Sequence, residues 1–281
     1  MKVLKYYDCY FVMNYLTLGT CWKNEDSYAL DFIKYHRSVC IEKFVIFDRE
    51  YNHIAKMFEN NNDIEVIHYP DVEGNNHQEA WGQLIRYNQR KTKWLALIDA
   101  DQCLVPVKTN DVKKILKDYE DFASLQINWK SFGSSHHETR TEGSLYERFL
   151  LTCLNDNVYN YHTQFICQPD RTIGIKTAEP HYPFLPDDEM MVNTNKEKID
   201  PFKIVSLNPN TPLSFNVPPL HDILYVNHYT NKSKEEWMIK NEKGRADILG
   251  TKMPFNQFDE YEACCNEIEE RRALELWNDI K

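Results

Sequence analysis

Two aspartates one residue apart, Asp99 and Asp101, close a run of apolar residues, Trp94-Leu95-Ala96-Leu97-Ile98. Such a run predicts a strand buried on both faces, whose end lies at the edge of a sheet. Alternation along that strand sends both carboxylates to one side. Carboxylates so placed raise each other's pKa unless a cation lies between them, so the pair suits a divalent metal. The alternative for an isolated Asp-x-Asp is a solvated turn. Gln102-Cys103-Leu104-Val105-Pro106 then leaves the strand and is stopped by proline.

The elements that must position this pair read as repeats. Phe11 to Cys21 is a first strand, running into the polar Trp22-Lys23-Asn24-Glu25-Asp26-Ser27. Leu30, Phe32, Ile33, Tyr35 and Val39 follow at helical spacing, with Asp26 or Ser27 as the N-cap. Phe44 to Asp48 is a second strand, trailed by a helical stretch from Tyr51 to Phe58, and Ile64 to Tyr69 is a third, stopped by Pro70. A helix from Gln78 to Lys91 delivers the chain to the Asp99 strand. Repeated strand-helix units predict an α/β fold with a largely parallel sheet and ligands at the carboxyl ends of its strands. Glu25, Asp48, Asp99 and Asp101 all occupy such ends.

Past Pro106 the pattern changes. Asp111 to Tyr119 reads as a surface helix, Phe122 to Trp129 as a strand opening into the loop Lys130 to His137, and Leu145 to Leu151 as a helix. Trp129 and Phe132 could stack on the apolar face of a pyranose, unless both are core. Asn193 to Pro219 is a meandering loop, and a strand from Ile223 to Asn227 ends on His228-Tyr229. Ser233 and Glu236 form a capping box that opens a helix carrying Lys240, Lys243 and Arg245, the densest basic cluster. The tail from Phe255 reads as one terminal amphipathic helix.

A formal net charge of -10 over 281 residues argues against a general nucleic-acid surface, which needs clustered Lys and Arg. The eight cysteines show no zinc-site spacing and read as small core residues of a reducing compartment. Asp8 and Asn14 interrupt what would be the apolar core of a signal peptide, and no stretch has the length of a membrane span. The expectation is a cytoplasmic protein, possible at a membrane surface but not within it.

Several stretches together resemble glycosyltransferase family 92 and its family 2 relatives. They are Lys23-Asn24-Glu25 with Tyr35-His36, Asp48 after its strand, Trp94 to Asp101, Asn128 to Ser134, and Asn227-His228-Tyr229 with Ser233, Lys240 and Gly244, in the same order. The resemblance implies a GT-A fold over residues 1–250, with 251–281 as a helical extension packed on it. It also implies a UDP-sugar donor, Mn²⁺ or Mg²⁺ as cofactor, and inverting transfer, commonly of galactose, to a glycan or glycolipid in polysaccharide biosynthesis. Asp101 would hold the metal, Asp99 the metal or the ribose, and His228 or His181 would add a ligand. Asn24, Glu25 and Asp48 would touch base or ribose, and Lys240 and Arg245 would close over the diphosphate. Trp129 and Phe132 would face the acceptor. Of Glu138, Glu142, Asp187 and Asp188, Asp188 is the choice for the base that takes the acceptor proton. One departure stands out: Gln102-Cys103 follows Asp101 where the family has Glu and an aromatic.

Two other readings compete. Apolar strand and Asp-x-Asp also resemble the nucleophile motif of haloacid-dehalogenase-type phosphatases, with Asp99 as nucleophile and Asp187-Asp188 as the distal acidic pair. About ninety residues of strand-helix units before the motif, and Cys103 where that family has Thr or Val, speak against it. A sugar-binding protein of the same fold without turnover is the other.

Overall fold

The computed structural model describes residues 13–23, 26–49, 53–70, 77–176, 179–199, 215–242, 252 and 256–281. Strand-helix units open the chain: β1 (Asn14–Trp22), α1 (Asp26–Ser38), β2 (Lys43–Asp48), α2 (His53–Met57), β3 (Ile64–His68), α3 (His77–Asn88) and β4 (Thr92–Leu97). Helix α1 ends where Cys40 takes a left-handed φ of 70°. There the amide of Cys40 donates to Arg37 O at 3.0 Å and that of Ile41 to His36 O at 3.1 Å, a Schellman closure of the last turn.

Strands alternate between two apolar layers, which makes this a sheet covered on both faces. Phe44 and Ile46 of β2 and Trp94 and Ala96 of β4 join a core with Phe32, Ile33 and Tyr35 of α1. Val45, Phe47, Leu95 and Leu97, their neighbours in sequence, join a second core with Trp81, Leu84 and Ile85 of α3. Gly19 in β1 is needed for the second: a Cβ there would lie 3.1 Å from Leu97 Cδ2 and 3.5 Å from Leu84 Cδ1.

One expectation is corrected just past β4. The strand stops at Leu97, so Asp99 and Asp101 lie in a tight turn, in which Gln102 N donates to Asp99 O at 3.0 Å. The chain leaves β4 there and re-enters the sheet as a separate strand, β5 (Gln102–Pro106), buried throughout and ended at the proline. The chain continues through α4 (Val112–Leu116), β6 (Ser124–Ser131), α5 (Leu145–Arg148), β7 (Leu151–Thr152), β8 (Thr163–Cys167), β9 (Gly174–Lys176), β10 (Glu179–Phe184), β11 (Met191–Val192), β12 (Leu224–His228), α6 (Lys234–Glu242), α7 (Gln257–Glu262), β13 (Ile268–Glu269) and α8 (Arg272–Asn278). The main sheet runs β3-β2-β1-β4-β8-β6-β12-β5, with β11 beside β6. Pairs β1-β2, β1-β4, β2-β3, β6-β12 and β6-β11 are parallel, while β4-β8, β6-β8 and β5-β12 are antiparallel. The fold is thus α/β with a mixed, largely parallel sheet.

The expected helix from Leu145 to Leu151 is one turn, α5, that runs into β7. The tail is also not one helix. Helices α7 and α8 flank β13, which pairs with β7 in the register Ile268↔Thr152. Lys130 binds Glu270 at 2.5 Å, Trp277 packs against Tyr146, and Cys153 and Cys265 form a disulfide across 112 residues. Those two cysteines depart from the expectation of free core thiols; Cys40, Cys103, Cys167 and Cys264 are free thiols. Among the described residues, no helix is long and apolar enough to cross a membrane.

Candidate active site at the Asp99-Ala100-Asp101 turn

Antiparallel pairing sets Gln102 opposite His228, so the start of β5 and the end of β12 meet beside the aspartate turn. The amide of Tyr229 donates to Asp101 O at 2.9 Å and fixes that junction. His228 Nε2 lies 3.7 Å from Asp101 Oδ1, and Lys240 Nζ, from α6, binds Asp101 Oδ2 at 2.5 Å. Burial raises the Asp101 carboxyl, but Lys240 and Lys232 outweigh it and hold the group below the usual carboxylate range. Burial pulls the His228 imidazole down to about 4 against the pull of Asp101. At neutral pH one is an ionised carboxylate and the other a neutral imidazole.

Asp99 belongs to a different network. Its Oδ2 accepts from Gln102 Nε2 at 3.1 Å and Gln164 Nε2 at 3.2 Å, and His77 Nε2 lies 3.3 Å from its Oδ1. Gln164 also donates to Gln102 Oε1 at 2.7 Å, and His181 Nδ1 meets Gln164 Oε1 at 2.7 Å. An imidazole facing an amide oxygen must donate, so Nδ1 of His181 carries the proton. Burial first, then His77, hold the His181 pKa well below the ordinary histidine value. The two aspartates therefore face different partners: Asp101 a histidine and a lysine, Asp99 two glutamines and a histidine.

Trp129 joins the two networks. Its ring packs 4.2 Å from that of His228, 5.4 Å from that of His181 and, stacked, 4.8 Å from that of His162. Trp129 is itself buried, 7% exposed, and its indole Nε1 has no hydrogen-bond partner among the described residues. Phe132 is elsewhere. It is wholly buried against Tyr229, with ring centroids 4.7 Å apart, and has no face open to a sugar.

Helix α6 holds Lys240 in place from its first turn. The capping box is present: Ser233 N donates to Glu236 Oε2 at 3.1 Å, and Glu236 N to Ser233 Oγ at 3.3 Å. Glu236 is itself buried, with Arg148 Nη2 at 2.5 Å and Nη1 at 3.2 Å and the Tyr28 hydroxyl on the same carboxylate.

The remaining expected residues divide. Asp48 is buried at the end of β2, in register with Trp22. Asp187 and Asp188 are exposed in the turn after β10. Asn24, Glu25 and Arg245 lie outside the described residues. Gln102, Gln164 and His77 had no role in the sequence reading. Gln164 left a signal, an amide directly before the apolar run Phe165-Ile166-Cys167, whereas the place of His77 depends on the packing of α3.

No protein-family model matches the sequence, and neither does any curated protein. Among solved structures, S. aureus TarS 1-349 is similar at a TM-score of 0.33 and 14% identity, over 55% of this chain and 47% of that one. The chain thus spans about half the length of that TarS 1-349 chain. A 4-diphosphocytidyl-2C-methyl-D-erythritol synthase is similar at a TM-score of 0.35 and 10% identity, over 58% of this chain and 78% of that one.

Proposed function

We propose that the protein is a GT-A-type glycosyltransferase that moves a hexose from a nucleoside-diphosphate sugar, with UDP-galactose the first donor to try, to a glycan or glycolipid with inversion. The observation that carries this reading is the convergence of Asp101, His228 and Lys240: an ionised carboxylate and a neutral imidazole 3.7 Å apart, with a lysine on the same carboxylate. The protonation states suit Mn²⁺ or Mg²⁺, with Asp101 and His228 as its holders. Bound there, the ion would supply Lewis-acid neutralisation of a leaving diphosphate.

The chain's own residues do the rest in this reading. Lys240 brings a second positive charge to the diphosphate, joined by Arg245. Asp99 orients Gln102 and Gln164, and its position after β4 suits a ribose hydroxyl. Asp48, at the end of β2, would touch base or ribose, a part the reading also gives to Asn24 and Glu25. Trp129, packed against His228 and His181, is given the acceptor side in this reading, while Phe132 is given no such part. Asp188, in the turn after the strand that carries His181, takes the acceptor proton.

The test is UDP release from a panel of UDP-hexoses with Mn²⁺, with and without chelator, beside Asp101→Asn. Metal-dependent release from one donor, lost with chelator and in Asp101→Asn, supports the reading. Turnover unaffected by both, or hydrolysis of a phosphate ester that requires Asp99, overturns it.

A further inference from the structure

Three sulfur atoms meet where the C-terminal segment joins β7. Pairing of β13 with β7 sets Ile268 opposite Thr152, and Glu267 N donates to Thr152 O at 3.0 Å. Cys153, the residue after β7, is thereby brought against the Cys264-Cys265 pair at the end of α7. The three Sγ atoms lie within 4.8 Å of one another, a mutual closeness that no other three His, Cys, Asp or Glu ligand atoms reach among the described residues. Cys153 and Cys265 are fully buried and Cys264 is partly exposed, so the cluster has inner walls and one open side. Stacked Tyr159 and Tyr261, 4.1 Å apart, pack beside it.

We propose that this cluster, once its disulfide is reduced, is a three-thiolate site for a thiophilic divalent cation of the Zn²⁺ class. The spacing favours it. With metal-sulfur bonds of about 2.3 Å, two tetrahedral thiolates stand roughly 3.8 Å apart. Cys264 Sγ and Cys265 Sγ are already 3.8 Å apart. Cys153 completes the set when the Cys153–Cys265 bond accepts two electrons from a dithiol reductant, which becomes a disulfide as it releases two thiols. Three thiols then lose their protons to solvent and bind the ion, and water on the open side fills the fourth position. Disulfide and metal ion are alternative clasps at one place, each joining the C-terminal segment to β7.

The probe is Cd²⁺ alone, titrated into the full chain after reduction with a phosphine, which is oxidised by the disulfide and water to its oxide and then removed. The reduced protein is expected to bind one equivalent with a thiolate-to-cadmium charge-transfer band, and the oxidised protein to show no such band. Cys264→Ser should weaken binding by at least the roughly 10–100-fold lost with an outer-shell partner, while Cys40→Ser should bind as the wild type does. A measurement needing no variant accompanies these: bound Cd²⁺ should slow maleimide labelling of Cys153, Cys264 and Cys265 but not of Cys40. A reduced wild type without the band, equal binding by Cys264→Ser, or labelling of the three unaffected by Cd²⁺ overturns the proposal.

Discussion

Glu236→Gln tests what holds Lys240 over Asp101. The substitution keeps the shape of the side chain and an oxygen for the two Ser233 donors, at 3.1 and 2.6 Å, so the helix cap survives. What it removes is the negative charge facing Arg148, whose side chain is 3% exposed beside one that is 7% exposed. Arg140 Nε lies only 3.8 Å from Glu236, so two guanidinium groups would be left around a neutral amide. Breaking a buried pair from one side costs about 3–5 kcal/mol. The retained cap puts Glu236→Gln near the lower end, and Glu236→Ala should add about 1 kcal/mol for the cap. Urea unfolding gives the number as a fall in midpoint at constant slope. In hydrogen exchange, α6 amides should lose protection before those of β1, β2 and β4. The double variant Arg148→Met with Glu236→Met should recover most of the loss, because the cost lies in the orphaned charge. A loss below about 1 kcal/mol for Glu236→Gln, the scale of a solvated pair, would show that water reaches these groups and refute the account.

Other expectations concern the core and its ends. Phe132→Ala should cost about 3–5 kcal/mol by opening a cavity under Tyr229, with melting temperature reporting the loss and acceptor KM unchanged. Cys40→Gly should stabilise by about 1 kcal/mol, since a residue with Cβ is strained at φ 70° and glycine is not, readable as a raised urea midpoint. Burial holds the His36 pKa down at about 3, while Nδ1 donates to Phe32 O at 2.9 Å and Nε2 accepts from Leu104 N at 3.3 Å. The unfolded chain therefore binds the extra proton first. Stability should fall as pH drops from about 6.5 toward 3, by up to about 1.4 kcal/mol per unit for this group, and the slope should lessen in His36→Leu.

The strand-helix units were readable because each was a short apolar run followed by residues at helical spacing, and β2 and β3 begin within a residue of their expected starts. Ser233 and Glu236 announced their capping box by spacing alone. That Gln102–Pro106 pairs as a strand of its own was not readable: the expectation reaches only to the chain leaving β4 and stopping at proline, and Pro106 does sit at a strand end, where a missing amide costs little. Asp101, His228 and Lys240 could be named as chemically apt, but nothing local tells that Lys240 reaches Asp101 from 139 residues away. Trp129 and Phe132 look equivalent in sequence and are not. The first packs between site histidines, while the second is drawn under Tyr229, a distinction made by a strand end and its bend. Likewise the Cys153–Cys265 disulfide depends on β13 finding β7, a pairing of two residues with no periodic signal.

The strand order also makes the aspartate turn a clasp for the whole sheet. Four inter-strand steps separate β4 from β5 in that order, which on a flat sheet would be about 19 Å. The backbone from Leu97 to Gln102 spans at most about 18 Å when fully stretched, and here it is folded into a turn closed by the 3.0 Å bond from Gln102 N to Asp99 O. A planar sheet could not be threaded this way. The far edge must roll back until β5 returns to the mouth of β4, and the turn is the shortest tether across the gap. Its length is consequently constrained by the curvature of the molecule as well as by its carboxylates, and an inserted residue there would slacken the roll before it altered any charge.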